Sequence, residues 1–388
     1  MKALHEFLER IRPLFKKGGR LSMFRSTFDA FDTFLFVPGK VTTGGSHIRD
    51  AIDLKRTMSV VIIALMPALL FGMWNVGYQR SLSIGADWSL LQNFWYGFLV
   101  VLPIIIVSYV SGLAVEFIFA QIKGHEVNEG FLVSGMLIPM IMPPDVPLWM
   151  VAVATVFAVI LGKEIFGGTG MNIVNPALLA RAFIFFAYPA YISGSQIWTA
   201  GLMEGQGVID GFSGATPMAH AAAGEMDKIP ALADMFFGFI PGSIGETSKL
   251  AILLGAAILL ITGVGSWRII LSTLIGGVLT VLLFNAVSLN TYMDLSPLTQ
   301  LMMGGFLFGA IFMATDPVTA AQTFKGQYFY GFFVGVFAIL IRVLNPAYPE
   351  GMMLAILLMN VVAPLIDHYV IQANIRRRLK RATIKLKA

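Results

Sequence analysis

Three groups of residues stand where their side chains carry chemistry that the surrounding sequence does not require. The first is a set of acids in or beside long apolar runs. Glu116 follows a run that ends at Val115, Asp316 closes the run Pro297 to Thr315, and Asp367 interrupts the run Met352 to Ile371. A carboxylate inside lipid is costly, so by default it marks an ion or proton path, and hard carboxylate oxygens beside free carbonyls of a broken helix suit Na⁺. Each has a plainer alternative: Glu116 reaching Lys123, Asp316 capping a helix before Pro317, and Asp367 sitting at the cytoplasmic interface. The second group is Asn172 and Asn175, which follow the run Gly167-Gly168-Thr169-Gly170 at the start of an apolar segment. Helix-terminal amides and two Asn side chains suit a polar ring edge or head group, and Asn is equally a preferred helix cap. The third is Ser213-Gly214-Ala215-Thr216 before Pro217, small residues that leave room for a hydroxyl on a turn and are also the ordinary material of a solvated loop.

Arg181 and Arg342 lie near two Asn-Pro-Ala elements, where a positive charge serves an anionic group or pairs with a nearby Glu. Phe131, Phe183, Phe185 and Phe186 are pocket walls or core packing. Other chemistries are excluded or unsupported. The chain has no Cys, so it supplies no disulfide, thiol nucleophile, or cysteine ligand for zinc or iron-sulfur clusters, and its five His are scattered singly. Gly167 to Gly170 opens into an apolar segment and not into a strand-helix unit, so it is no dinucleotide fingerprint.

The elements that must position these residues are membrane spans. Of 388 residues 57% are hydrophobic and 13% charged, against about 25% charged in soluble domains. Apolar runs long enough to cross a bilayer begin with Thr57 to Tyr78 and Phe94 to Val115. They continue with Val146 to Gly162, Pro176 to Ala190, Leu250 to Gly265, Ile269 to Ser288, Pro297 to Thr315, Gln327 to Leu344 and Met352 to Ile371. Gly130 to Met142 is too short and predicts a half-helix. Together these make about ten crossings.

Charge sets the orientation. Residues 1–56 hold 11 of the 27 Lys and Arg, and Arg376 to Lys387 holds 7 more with no acid. The positive-inside rule then puts both ends, with Lys123, Lys163, Arg268 and Lys325, on the cytoplasmic side and needs no nucleic-acid partner. Met1 to Arg25 has no continuous apolar core, so no cleaved signal peptide is expected. The expected organisation is a basic cytoplasmic segment 1–56, a membrane half 57–190, an outside loop 191–248 with six acids and one Lys, a second membrane half 249–371, and a basic cytoplasmic tail 372–388.

The two halves look related. Gly130-Phe131-Leu132 recurs as Gly305-Phe306-Leu307, Pro143-Pro144 lies near the counterpart of Asp316-Pro317, and Asn175-Pro176-Ala177 recurs as Asn345-Pro346-Ala347. With about five crossings per half, the second copy is inverted relative to the first, as in inverted-repeat transporters. The fold expected is therefore an all-α integral membrane protein of two inverted five-helix repeats with interrupted helices, an arrangement also used by urea channels.

Several stretches together carry a family resemblance: Gly44 to Gly77, His125 to Gly130, Lys163 to Pro189, Ser213 to Thr216, Ile240 to Glu246 and Arg342 to Ala355. The chain resembles, over almost its whole length, the family of B subunits of the Na⁺-translocating NADH:quinone oxidoreductases, to which the D subunits of the Rnf complexes are related. The resemblance implies an inner-membrane component of a six-subunit complex, with partners A, C, D, E and F. It implies FMN esterified to Thr216 by a separate flavin transferase, with Ser213 part of its motif, and non-covalent riboflavin at Asn172 and Asn175. Electrons would pass from the FMN of the C subunit through these flavins to ubiquinone, coupled to Na⁺ export. By the same resemblance Gly112, Glu116, Phe131 and Leu132 are quinone candidates, while Glu116, Asp316 and Asp367 are candidates for the Na⁺ path as carboxylates in or beside apolar runs. The related alternatives are an Rnf-type D subunit, with ferredoxin as electron source, and a flavin-free inverted-repeat channel.

Overall fold

A computed structural model describes residues 2–15, 19, 21, 28, 44–46, 54–123, 130–203, 205, 208–209, 212–345 and 351–387. Most of the basic N-terminal segment, His125 to Glu129, Asp210, and Pro346-Ala347 of the second Asn-Pro-Ala element lie outside the described residues. The described chain is helical, with no strand among the described residues.

A helix α1 (Lys2–Phe15) precedes the membrane region. Two long helices follow, α2 (Leu54–Ser83) and α3 (Leu90–Lys123), then the short α4 (Phe131–Met140). Next, α5 (Leu148–Val159) runs into a π-helical turn, Ile160–Glu164, and α6 (Pro176–Ala187) ends this half. The segment between the two halves holds α7 (Pro217–Ala222) and α8 (Leu232–Phe237). The second half contains α9 (Lys249–Ile261), α10 (Trp267–Val287) and α11 (Pro297–Met302). A single helical turn, α12 (Phe306–Phe308), continues as a π-helical turn Gly309–Met313, and α13 (Phe324–Leu344) and α14 (Met352–Lys387) complete it.

Apart from the basic end of α14, the helices of the two halves are apolar around their whole circumference, as lipid-facing spans must be. On α3, Val101, Ile104, Ser108 and Val115 turn inward, yet Leu99, Ile106, Val110 and Ile122 on the opposite face are exposed and equally apolar. Among the described residues five helices are long and apolar enough to cross a bilayer, and α4, α6 and α9 are shorter apolar helices. At 1.5 Å per residue, ten-residue α4 covers about 15 Å, half a hydrocarbon core. The predicted half-helix is thus a discrete element, and its counterpart is interrupted more severely by the π turn.

Some of the packing recurs in the two halves, although α2 packs closely on α3 while α9 scarcely touches α10. The second helix packs on the fourth (α3 on α5, α10 on α13), the fourth on the fifth (α5 on α6, α13 on α14), and the first on the broken element (α2 on α4, α9 on α12). The halves meet where α2 packs on α9 and α6 on α14. Small residues allow the closest approach: a Cβ on Gly276 would overlap the Phe332 carbonyl, and one on Gly335 would overlap that of Thr273, so α10 and α13 touch backbone to backbone. A minor core of Met218, Ala221, Met235, Ile240, Tyr292 and Met303 fastens the 217–240 segment to the second half.

Candidate functional site

Two cavities lie at opposite ends of a partition built from α6 and the broken second element. Asn175 starts α6 at one cavity and Phe185 faces the other, while Gly304 and Asp316 flank the broken element in the reverse sense.

The outer cavity, of about 290 Å³, has Thr216 at its rim. Pro217 at the first helical position fixes the start of α7, and Thr216 caps it, its Oγ1 accepting from the Ala219 N–H at 3.2 Å. Thr216 is half-buried, whereas Ser213 is exposed and its Oγ accepts from Ala215 N–H at 3.3 Å. Gly214 between them has no room for a side chain, since a Cβ would lie 2.6 Å from the Ser195 carbonyl oxygen. Asp145, just after α4, anchors the segment by accepting from the N–H groups of Gly201 at 2.9 Å and Met203 at 3.2 Å.

The floor of this cavity is charged. Arg181 of α6 donates to both carboxylate oxygens of Glu246, at 3.2 and 3.3 Å, and to the Ser243 hydroxyl at 3.3 Å. Glu246 lies so close to Gly305 that a Cβ there would collide with the carboxylate, so the pair joins α6 to the head of α12. Lys249 is wholly buried, and its ammonium donates to the carbonyls of Glu246 (2.9 Å), Thr247 (3.1 Å) and Gly304 (3.3 Å). The Thr247 hydroxyl is buried against the cavity with no hydrogen-bond partner among the described residues.

The inner cavity is smaller, about 80 Å³, and is lined by Lys163, Thr169, Asn172, Asn175, Thr315 and Asp316 among others. Asn175 caps α6, its Oδ1 accepting from the N–H groups of Ala177 (2.9 Å) and Leu178 (3.4 Å), and its amide donates to Asp316 at 3.5 Å. Asp316 also accepts from the Val318 N–H at 3.1 Å and the Thr319 hydroxyl at 2.8 Å. Asn175 is therefore both cap and inter-half contact. Asn172 caps nothing, and its Oδ1 is a buried acceptor with no hydrogen-bond partner among the described residues.

Glu116 does not reach for Lys123. It forms a buried ion pair with Lys163, and Lys123 instead donates to the Glu164 carbonyl at 2.7 Å. Lys163, which charge counting places on the cytoplasmic side, and Glu164 both belong to the π turn and are buried. A π turn inserts an extra residue and re-aims the side chains that follow, a geometry frequent at functional sites.

The four quinone candidates are contiguous on α3 and α4. The Phe131 ring, 1% exposed, fills the space over Gly112 so fully that a Cβ there would overlap it. One turn further along α3 lies Glu116, and the Leu132 carbonyl accepts from the Tyr109 hydroxyl at 2.6 Å.

Asp367 accepts from the N–H groups of Gln322 (2.7 Å) and Thr323 (2.9 Å) and from the Thr323 hydroxyl (2.5 Å), fixing the loop between Asp316 and α13. Removing such charged acceptors costs about 2 kcal/mol. Asp367→Ala should lower the melting temperature of the detergent-solubilised chain, followed by tryptophan fluorescence, and Asp367→Asn should lower it less.

Arg181 has the Glu partner expected of it, whereas Arg342 is fully buried, donates to the carbonyls of Gln300 (2.5 Å) and Met303 (3.3 Å) and lies over the Phe306 ring. Phe185 lines the outer cavity, Phe183 stacks on Phe157 with ring centroids 4.5 Å apart, and Phe186 is exposed. Sequence reasoning missed Lys163, Glu246 and Lys249 as site residues. The signal available for Lys249 was its position immediately ahead of an unbroken apolar run.

Residues 41–376 match the model of the NQR2, RnfD, RnfE family. Three relatives are each described as the B subunit of a Na(+)-translocating NADH-quinone reductase. That of Chromohalobacter salexigens is 46% identical over 400 residues, covering 96% of this chain and 95% of its own length. That of Ectopseudomonas mendocina is 46% identical and that of Azotobacter vinelandii 45% identical, each over 407 residues, 97% of this chain and 99% of the relative.

Proposed function

Because the chain belongs to the NQR2, RnfD, RnfE family, we propose that it is the membrane subunit of a Na⁺-translocating NADH–quinone reductase that holds FMN through a phosphoester on Thr216. The observation that carries this reading is the position of Thr216 at the rim of the outer cavity, above a floor of Arg181, Ser243 and Lys249. The residues fit the group: a hydroxyl at a half-buried rim, cations and an unpartnered hydroxyl at the floor, and a volume of about 290 Å³, near the lower end of cofactor-sized cavities of about 300–1,000 Å³. When bound, the flavin supplies the means of passing electrons one at a time between donor and acceptor. The chain's part is to hold it at a fixed place and charge.

Riboflavin belongs, on this reading, at the inner cavity, where the orphaned Asn172 acceptor and the Asn175 amide offer polar partners. At about 80 Å³ that cavity must widen to admit a tricyclic ring. The Na⁺ path uses Glu116 and Asp316 beside the same cavity, with Asp367 holding the loop that bears Asp316. Quinone meets the α3–α4 contact at Gly112, Phe131 and Leu132, and Phe131 must swing away to admit it. Ten crossings in two inverted halves, with both termini on the cytoplasmic side of the inner membrane, complete this reading, and the packings that recur between the halves support the repeat. Subunits A, C, D, E and F complete the enzyme, and a flavin transferase loads Thr216. Near-full-length identity to the B subunits of three sodium-translocating reductases favours this assembly over an Rnf complex.

Co-expression with a flavin transferase followed by denaturing electrophoresis tests the covalent site. A fluorescent band is expected from the natural chain and from Ser213→Ala, and none from Thr216→Ala. A dark band from the natural chain would refute the flavin reading.

A further inference from the structure

Helices α13 and α14 run antiparallel, with Gly326 against Ile366 and Asp367 at one end and Gly351 against Ala338 at the other. Between them lies an apolar groove of about 520 Å³. Phe329, Phe333 and Phe337 wall it at every fourth residue of α13, and residues from Leu358 to Val370 of α14 form the other side. Phe329 is 58% exposed and Phe333 41%, so the rings stand open to the surroundings of the helices. From Leu358 to Val370 the groove is about 18 Å long at 1.5 Å per residue. That is close to half of a hydrocarbon core of about 30 Å, the depth of one leaflet. A spanning helix of a partner would need a surface running the full thickness, whereas this groove matches a single acyl chain.

One end of the groove is basic. Lys325 stands one turn before Phe329 on α13, and Arg376 and Arg377 stand about two turns beyond Val370 on α14, all three exposed. At about 3.6 residues per turn, Arg376 and Arg377 flank the line through Met359, Val362, Ile366 and Ala373, while Arg378 falls on the far side of the helix. Helical side chains lean toward the helix N-terminus, so these two guanidinium groups reach back toward the groove. The single acid of α13 and α14, Asp367, is already engaged by the N–H groups of Gln322 and Thr323.

We propose that this groove binds an anionic phospholipid, with one acyl chain along Phe329, Phe333 and Phe337 and the phosphate among Lys325, Arg376 and Arg377. Depth and charge carry the assignment together. The apolar walls take a chain from one leaflet, and basic residues beside a membrane each favour an anionic head group. A zwitterionic lipid would bring its own cation against these three, and an isoprenoid quinone brings no anion to them. The site is independent of any flavin on Thr216.

The test places the full chain in phosphatidylcholine nanodiscs containing phosphatidylglycerol with a photoactivatable acyl chain, and maps the cross-links by peptide mass spectrometry. Label should concentrate on residues 329–337 and 358–370, and unlabelled phosphatidylglycerol should displace it at least about tenfold more effectively than phosphatidylcholine. Arg376→Gln with Arg377→Gln should weaken this labelling by about tenfold or more, the loss expected of two basic contacts. Arg378→Gln with Arg381→Gln removes the same charge away from the groove and should weaken it far less. All four arginines are exposed, so these variants leave the packing of the helices intact. Val362→Trp fills the groove and should abolish the label with every cation in place; if it does not accumulate, the two arginine pairs decide the result. Label spread evenly over all lipid-facing helices, equal displacement by phosphatidylcholine or by an isoprenoid quinone, or equal losses in the two arginine pairs would overturn the proposal. So would loss of the label from these two stretches in the assembled complex, because a partner helix would then occupy the groove.

Discussion

Lys163→Met is expected to destabilise the chain by about 3–5 kcal/mol, the cost of breaking a buried ion pair by removing one partner. The ammonium it deletes compensates Glu116, whose side chain is 4% exposed, at the contact of α3 with the π turn after α5. A carboxylate buried among membrane helices has little water to fall back on. The double variant Glu116→Gln with Lys163→Met should recover most of the loss, since replacing a whole buried pair by neutral groups is often close to neutral. Thermal unfolding followed by tryptophan fluorescence checks both, and a double variant as unstable as the single one would mean that packing, not charge, holds this contact.

Arg181→Ala is expected to be as damaging, again about 3–5 kcal/mol, for the same electrostatic reason and a second geometric one. The guanidinium donates to both oxygens of Glu246 and to Ser243. Glu246 in turn rests on Gly305, so the pair is the bolt between α6 of the first half and the broken element of the second. Losing it should loosen the partition between the two cavities as well as lower the melting temperature. Protease sensitivity of the 240–249 loop reports the first effect independently of the second: accelerated cleavage in Arg181→Ala is expected, and unchanged cleavage would show that the loop is held by Lys249 alone.

Much of this was legible in the sequence because lipid imposes a simple rule. A span must be apolar all round, so Thr57 to Tyr78 and Phe94 to Val115 announced α2 and α3, and the shortness of Gly130 to Met142 announced a half-helix. Asn175 before Pro176 read correctly as a cap because capping is local chemistry. What failed was long-range pairing of charge. Counting basic residues assigned Lys163 to the cytoplasmic side, and no local rule foretells that a π turn buries it against Glu116, 47 residues away. Glu246 and Arg181 are 65 residues apart, and only the tertiary fold brings them beneath Thr216. The Ser213 to Thr216 motif was visible from its residues, but the charged residues that line the same cavity as Thr216 were not.

The most direct test of the central claim is sodium uptake by proteoliposomes containing the assembled complex, driven by NADH with quinone present. The natural complex should accumulate radioactive sodium even with a protonophore added, and a complex that assembles with Thr216→Ala should lose quinone-linked uptake. Undiminished uptake with Thr216→Ala would contradict the claim, because electrons would then reach quinone, and drive Na⁺, without a flavin at that residue.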